Sequence, residues 1–560
     1  MTATGFVSHE FDSDRAAIAA RIREARRKAG LSQGALASRL GISIWKLDEI
    51  ERGNSDGSAL LAPIAAATGQ RLPVGRGAQL ERVEATARVV ASRETLDLAA
   101  RNKRNLVLGA LAALVLVRFF TEVVHVLPRA LNFIDIAVFV ALSVAAATQV
   151  RSTRAGAATL FGLPTLLFLV LCVVSMTLNP SRIEPGPVLV FVYGFLAPLA
   201  VYVAVYRLWP TGQALSASKF LAALGLLELL VVFAVDLPRF VSTRNPDVVS
   251  GTFGTNAYQL VFLLLVFTGL LAGIHACEPR RALARLGPAL FALILATAFL
   301  AQYRALLVTT AVSILVIGLL LGRRGRGIVT GVIVVASFAV ALSYVSGRYS
   351  NLKFAKTITT LRSHPGFYAS ARLRAGNTVF RLYEDRPIAV AFGTGPGTFS
   401  SRAWQTFSQA GSTSRSNVQG KYVLALTGGQ VYHTDVSDKY VLPESQHGPV
   451  IEGSRQLSSP FATYFSLPAE VGLPGLLLIV FVYLRGALQA GRMSVASLRR
   501  ATPGDPLPAL LVAATTAFVV LLQLGLLSGN WLEVTRITFL SWALLALVTK
   551  EYEATTSEPS

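Results

Sequence analysis

Cysteine is nearly missing from this chain: 560 residues hold only Cys172 and Cys277. Neither has a second cysteine beside it, so a disulfide framework and a CxxC metal site are both excluded. Charge is scarce as well. Asp, Glu, Lys and Arg make up 15% of the residues, against roughly a quarter in an ordinary soluble domain. Hydrophobic residues make up 53%, too many for a soluble protein of this size. The scarcer sign is negative: 31 acidic residues face 52 basic ones, a net charge of +21. In a soluble chain that excess would suggest nucleic acid. In a membrane chain, basic loops hold the protein in its orientation. Residues 1–30 are charged and lack an apolar core, so no cleavable signal peptide is visible and the N-terminus is expected in the cytoplasm.

What is present falls into two regimes that meet near residue 104. Residues 1–104 are polar, with 17 Lys/Arg and 12 Asp/Glu. From Asn105 onward come apolar runs near the roughly 20 residues that a helix needs to cross a bilayer. They are read at 105–127, 131–150, 157–178, 187–208, 219–238, 257–275, 284–302, 304–321, 328–346, 460–484, 507–528 and 533–549. The stretch 284–321 is also readable as one bent hairpin, since only Tyr303-Arg304 divides it. The expected fold is mainly α, a polytopic bundle of about 12 membrane helices with a small all-α domain in front. The expected divisions are 1–76 for that domain, 77–104 for a helical linker, and 105–346 and 460–549 for the membrane spans. A large external loop would cover 347–459 and a cytoplasmic tail 550–560. With the N-terminus inside, the short inner loops carry fourteen Lys/Arg and the short outer loops five, which favours this topology.

The large loop contains Gly393-Thr394-Gly395-Pro396-Gly397, which resembles a phosphate cradle at first sight. A P-loop would need GK[ST] after the glycines and a strand–helix context, and neither is present. On the expected topology the loop also faces away from the cytosolic nucleotide pool. The glycines are open to two readings, close backbone approach to a ligand or a plain surface turn.

Residues 16–72 show apolar residues at helical spacing in four short segments. Gly30 and Gly41 stand where helices would end, and Ser32 and Ser43 where they would be capped. The pattern GLSQ, then LA, LGIS and IERG, resembles the repressor-like (Cro/C1, XRE) helix-turn-helix family. Its second helix would present Ile44, Trp45, Lys46, Asp48 and Glu49. Base readers are usually Arg, Lys, Asn or Gln, and carboxylates meet phosphates badly. An exposed Trp45 beside Ile44 suits a protein-docking patch better than DNA.

Four further features fall on the expected outer side: Gly251-Thr252-Phe253-Gly254-Thr255-Asn256, Tyr303-Arg304-Ala305, the stretch from Arg372 to Phe399, and the returning segment with Glu470, Gly472 and Gly475. Their order resembles the O-antigen ligase and O-antigen polymerase family across roughly residues 105–550. The resemblance implies a GT-C-like membrane glycosyltransferase that works without metal or cofactor in the bacterial cytoplasmic membrane, both termini being cytoplasmic. The donor would be a polyprenyl-diphosphate-linked glycan, and the acceptor another lipid-linked glycan or an envelope anchor.

Arg304 and Arg372 would stabilise the diphosphate, since guanidinium forks suit a leaving group whose negative charge grows. Arg374, Arg381, Asn256 and the three glycines Gly393, Gly395 and Gly397 would contact substrate. Family members carry a His-Asn pair where this chain has Phe461-Ala462. That moves the expected base to His433, His447 or Glu470. Simpler roles compete with each: snorkelling for Arg304, a basic loop residue for Arg372, solvated loop histidines, and a structural cap for Glu470. Arg118, Glu122 and His125 share one helical face and suggest an ion-pair network, and Glu228 and Asp236 are candidate partners for arginines. Outside catalysis, a membrane scaffold or membrane-bound regulator acting through the helix-turn-helix remains the competing function.

Overall fold

The computed structural model describes residues 6–55, 57–69, 98–148, 156–180, 183–243, 245, 248–254, 256–278, 282–301, 304–322, 367–408, 432–443, 462–527 and 529–557. Every regular element among them is helical. The chain divides into two compact units, Met1–Arg101 and Asn102–Ser560.

The first unit contains α1 (Phe6–Lys28), α2 (Gln33–Leu40), α3 (Ile44–Glu51) and α4 (Leu61–Thr68). The caps form as their residue types predict. Ser32 Oγ accepts from the Ala35 amide at 3.1 Å, Ser43 Oγ accepts from the Lys46 amide at 3.2 Å, and Gly41 ends α2 with φ at 66°. Ile22, Leu36, Leu47, Ile50 and Ile64 fill a small core. Glu51 is buried at its edge, held by Arg26 through Nε at 2.7 Å and Nη2 at 3.0 Å and by Gln33 Nε2 at 2.9 Å. A buried carboxylate is tolerated only with such a full set of partners.

Among the described residues, seven helices are long and apolar enough to cross a membrane. They are α5 (Leu98–Val123), α6 (Ala130–Ala147), α8 (Pro185–Leu208), α9 (Ala214–Thr243), α10 (Ala257–Cys277), α15 (Thr463–Arg500) and, at Leu507–Gly525, most of α16 (Leu507–Leu527). Shorter apolar stretches lie in α7 (Gly156–Leu178), α11 (Ala282–Leu300) and α12 (Arg304–Leu321). α17 (Thr535–Ser557) closes the chain. The stretch 284–321 forms two helices. The span read at 328–346 lies outside the described residues, as do linker residues 77–97.

α10 and α16 form the centre of the bundle. Gly269 and Gly273 of α10 meet Ala513, Thr516 and Ala509 of α16 so closely that a Cβ on Gly269 would stand 2.6 Å from Thr516 Oγ1. Small residues at helical spacing let two backbones approach, the main source of helix affinity where no water is available to drive burial. Around them Trp542, Phe518 and Tyr483 interlock edge to face, with ring centroids 4.9 Å and 5.4 Å from Trp542.

Three of the described helices depart from simple spans, α9 through a π turn at Val232–Asp236. α5 ends in a widened π turn at Phe119–Val123, and His125 just beyond it has φ at 58°. α15 runs 38 residues, roughly 57 Å at the usual rise and so much longer than a bilayer core. It is broken at Gly472, where φ is 78° and ψ 170°. The part before the break, Thr463–Val471, folds into the bundle as a separate short segment and carries Glu470 into the protein.

Candidate functional site

The glycine loop is built from the inside. α13 (Phe367–Asp385) and a single turn, Ala389–Phe392, deliver the chain to Gly393. The loop then runs beside the broken end of α15. The amide of Thr394 donates to Ala469 O at 2.9 Å and that of Gly395 to Glu470 O at 3.0 Å. Next, four amides converge on the Glu470 carboxylate: Gly397 N at 2.6 Å, Phe399 N at 3.0 Å, Ser400 N at 3.0 Å and Ser401 N at 2.9 Å. A carboxylate with no exposed surface is thus solvated by backbone amides, an anion nest turned inward. Ser401 then caps α14 (Arg402–Phe407).

A second clamp grips the loop from the other side. Asn530 Nδ2 donates to Ser400 O at 2.9 Å, Ser466 Oγ meets Asn530 Oδ1 at 3.2 Å, and Glu533 Oε2 accepts the Arg402 amide at 2.7 Å. Segment 432–443 closes the third side, with Thr434 Oγ1 donating to Thr398 O at 2.7 Å. Trp404, Phe399, Val436 and Leu382 form a small apolar core beneath.

The structure places three of the candidates as follows. Gly393, Gly395 and Gly397 do not leave room for a ligand, because residues 393–400 are buried. Gly393 presses on the backbone of Glu470 and Val471, and a Cβ on Gly397 would stand 2.8 Å from Pro187 Cβ; all three glycines have positive φ, where a side chain is strained. Glu470 is not placed as a base, since both its oxygens are taken by amides and it has no open face. Asn256 caps α10, its Oδ1 accepting from the Gln259 amide at 3.4 Å.

The Gly251–Gly254 loop repeats the pattern. Asp236 accepts from the amides of Ser250 at 2.9 Å and Gly251 at 2.6 Å, while Glu228 accepts from the Thr252 amide at 2.8 Å and from its hydroxyl. Among the described residues, neither carboxylate forms an ion pair with an arginine within 4.0 Å. Loop amides, which no sequence pattern advertises, outcompeted the expected guanidiniums.

Other candidates scatter along the same matrix. Arg304 opens α12 and Arg372 lies in α13, but their side chains lie outside the described residues, as does His447. Arg374 and Arg381 share one face of α13 with Asn377, Phe380 and Glu384, lining an open cleft of about 320 Å³. His433 Nδ1 stands 3.1 Å from Asp438 Oδ1, both half-exposed. The far end of α13 is tied to segment 432–443 by Lys439 Nζ to Asp385 at 2.6 Å, by the Tyr440 hydroxyl to Asp385, and by Arg386 to Asp435 at 2.6 Å. The hydrogen bonds from Lys439 and then Tyr440 hold the Asp385 carboxyl below its ordinary range. In the first unit, Ile44 and Trp45 are 47% and 79% exposed, and Lys46 is exposed beside them.

A polar cluster that sequence reasoning reached only in part lies next to the glycine loop. Arg118 Nε stands 3.5 Å from Glu122 Oε1, which accepts from Asn132 Nδ2 at 3.0 Å. Arg536 Nη2 donates to Asn132 O at 2.8 Å, and Asp135 Oδ2 accepts from Thr535 Oγ1 at 2.7 Å. Arg402 joins them from the loop side. Burial and then the like charge of Arg118 hold its guanidinium below the ordinary value. Arg118 and Glu122 pair as their i, i+4 spacing predicts, whereas His125 turns back to Thr121 O at 3.2 Å. Arg402 and Arg536 were missed. The one available signal was an arginine at the first turn of an apolar span.

The profile of the O-antigen ligase family matches residues 289–435. Over that stretch the chain is similar to the O-antigen ligase family. The matched stretch runs from α11 through α12, α13 and the glycine loop to Asp435; Glu470, Glu533 and Arg536 lie beyond it. A helix-turn-helix domain profile matches residues 17–70, the four helices of the first unit after the start of α1. No curated protein matches the chain.

Proposed function

We propose that this integral membrane protein transfers a glycan from a polyprenyl-diphosphate donor to an envelope acceptor on the extracytoplasmic face. One observation carries the reading. The stretch similar to the O-antigen ligase family holds the glycine loop that the membrane bundle clamps through Glu470. A loop so held is rigid, and rigid placement of charged groups is what transfer from a diphosphate needs.

In this reading Arg304 and Arg372 meet the growing charge of the departing diphosphate. Arg374 and Arg381 line the approach along α13. Glu470 is a positioning residue that fixes the loop without touching substrate. His433 takes the proton of the acceptor hydroxyl at Nε2, with Asp438 holding the ring through Nδ1. Transfer would then proceed by direct attack of the acceptor oxygen on the anomeric carbon, the diphosphate leaving from the opposite side. The bundle sits in the bacterial cytoplasmic membrane with both termini in the cytoplasm.

The test is to reconstitute the purified chain with a lipid-linked glycan donor and acceptor and follow glycan size. Arg304→Ala and Arg372→Ala should abolish transfer at unchanged protein level, and His433→Gln should reduce it by about a hundredfold or more. Full transfer by both arginine variants would remove the reading.

A second reading concerns the first unit alone. Trp45 exposes more than three-quarters of its surface on α3, beside Ile44, and Asp48 is held by Arg52 at 2.7 Å. This face suits a cytoplasmic protein partner and meets DNA poorly. Sequence-specific retention of DNA by residues 1–104 would overturn it.

A further inference from the structure

We infer that the cleft along α13 is a subsite for sugar rings of a glycan chain, read by Asn377, Phe380 and Glu384 together with Arg374 and Arg381. These five residues line an open space of about 320 Å³. That is at the lower end of the usual range for small-ligand sites, about 300–1,000 Å³. Their spacing puts them on one side of the helix. Positions 374, 377, 380, 381 and 384 recur at steps of three or four residues, which stack along one helical face. From Arg374 to Glu384 the stripe is roughly 15 Å long at the usual rise, longer than one sugar ring.

The opposite side of α13 is already occupied. Ala375, Thr378, Val379 and Leu382 are buried, Gly376 lies against the Phe465 ring, and Asp385 is tied to Lys439 and Tyr440. The cleft side is differently placed. Phe380 is 66% exposed. Asn377 and Glu384 are exposed and hold no hydrogen bond or ion pair among the described residues. The Nε of Arg374 is buried and has no hydrogen-bond partner among the described residues. A helix held this firmly from behind presents its outer groups already ordered, which lowers the entropy cost of binding.

The mixture of side chains selects the ligand class. A sugar ring has an apolar C–H face and an edge of hydroxyls that both donate and accept. The aromatic face of Phe380 suits the first. For the second, Asn377 offers donors and an acceptor, Glu384 accepts and the guanidiniums donate. A phosphate would be repelled by Glu384. A wholly apolar ligand would strip water from Asn377, Glu384 and both guanidiniums and return nothing. The cleft also lies within the stretch similar to the O-antigen ligase family. It reads sugars, not the diphosphate, and so sets which glycans are accepted. That use in transfer rests on the function proposed above; the binding of sugar does not.

The experiment uses the full chain in the membrane of cells that make its glycan. Leu373 is 67% exposed beside the cleft and outside its lining. The photoreactive change Leu373→benzoylphenylalanine therefore leaves all five side chains in place. After irradiation, the peptide around position 373 should carry sugar mass increments that periodate removes. Leu477→benzoylphenylalanine, at a position 67% exposed on membrane-spanning α15, should carry none. Phe380→Ala and Asn377→Ala, each added to the Leu373→benzoylphenylalanine chain, should lower the sugar adduct about fivefold to tenfold. Both positions are exposed, so these changes spare the fold. No sugar adduct at position 373, adducts of peptide or lipid alone, an equal sugar yield from position 477, or a yield unchanged in both alanine variants would each overturn the subsite. A chain that transfers glycan on reconstitution but forms no sugar adduct keeps the proposed function and loses the subsite. A sugar adduct on a chain that transfers nothing keeps the subsite and removes the transfer.

Discussion

Replacing Glu470 is the sharpest perturbation available. Its carboxylate takes one amide on Oε2 and three on Oε1. In Glu470→Gln the amide oxygen can keep the triple acceptor site. The new NH₂ group then faces the Gly397 N–H at the site where the original contact was 2.6 Å, so one charge-assisted bond becomes a clash of donors. A hydrogen bond to a charged group contributes about 1.5–3 kcal/mol, and a stranded buried donor costs about 1–3 kcal/mol. Allowing for relaxation, the glutamine variant should lose about 2–4 kcal/mol of local stability. Glu470→Ala strands all four amides and should lose about 3–5 kcal/mol, the range seen when one partner of a buried charged set is removed. The four do not add, because the loop can open as a unit.

Hydrogen exchange of the full chain in detergent reads this directly. Amides of residues 397–401 should exchange about a hundredfold to a few thousandfold faster in Glu470→Ala, since each 1.4 kcal/mol is about tenfold. Protection in α10, which packs on α16 through Gly269 and Gly273, should change little. If the Glu470→Ala chain kept wild-type protection at those amides, the inward nest would be refuted and Glu470 would be free to act as a base.

Four other outcomes follow from the same structure. Gly393→Ala should unsettle the loop as severely as Glu470→Ala, because a Cβ would overlap the Glu470 backbone at a φ of 72°; an alanine chain with an unchanged melting temperature would count against this packing. In the first unit, Glu51→Ala should cost about 3–5 kcal/mol by leaving Arg26 and Gln33 without their buried acceptor, seen as lost exchange protection in α1 to α4. Trp45→Ala should leave that protection within about 0.5 kcal/mol, since an exposed side chain contributes little to folding; a large loss would mean that Trp45 is part of the core. Asp385 has a folded pKa below its ordinary 3.8, so the tie between α13 and segment 432–443 is present above that value and lost as pH falls through the lowered one. Protease cleavage within 432–443 should rise only in that acid window, and Asp385→Asn should raise it already at neutral pH.

Much of the architecture is legible without coordinates, and the reason is solvent. A bilayer forces every spanning backbone group to pair within its own segment, so apolar length alone marks α8 or α10 within a few residues. The helix-turn-helix is equally local: Ser32 and Ser43 cap because their oxygens reach amides three residues on, and Gly41 ends α2 because it tolerates positive φ. The i, i+4 pairing of Arg118 and Glu122 is of the same kind.

What tertiary structure alone decided involves partners far apart in the chain. Glu470 meets amides about 70 residues earlier, and Asp236 and Glu228 meet a loop later in the chain. In each case a buried carboxylate was answered by backbone donors, which every sequence contains everywhere and which therefore leave no signature. The glycines of 393–397 read as a ligand cradle because their freedom is visible in the sequence while the object pressing on them, the backbone at Glu470 and the side chain of Pro187, is not. Arg402 and Arg536 became neighbours of Arg118 only when the loop and α17 were folded against α5. Local rules set where helices begin and end; the choice of which charges face one another belongs to the packed bundle, because burial cost is paid by whole neighbourhoods and not by single residues.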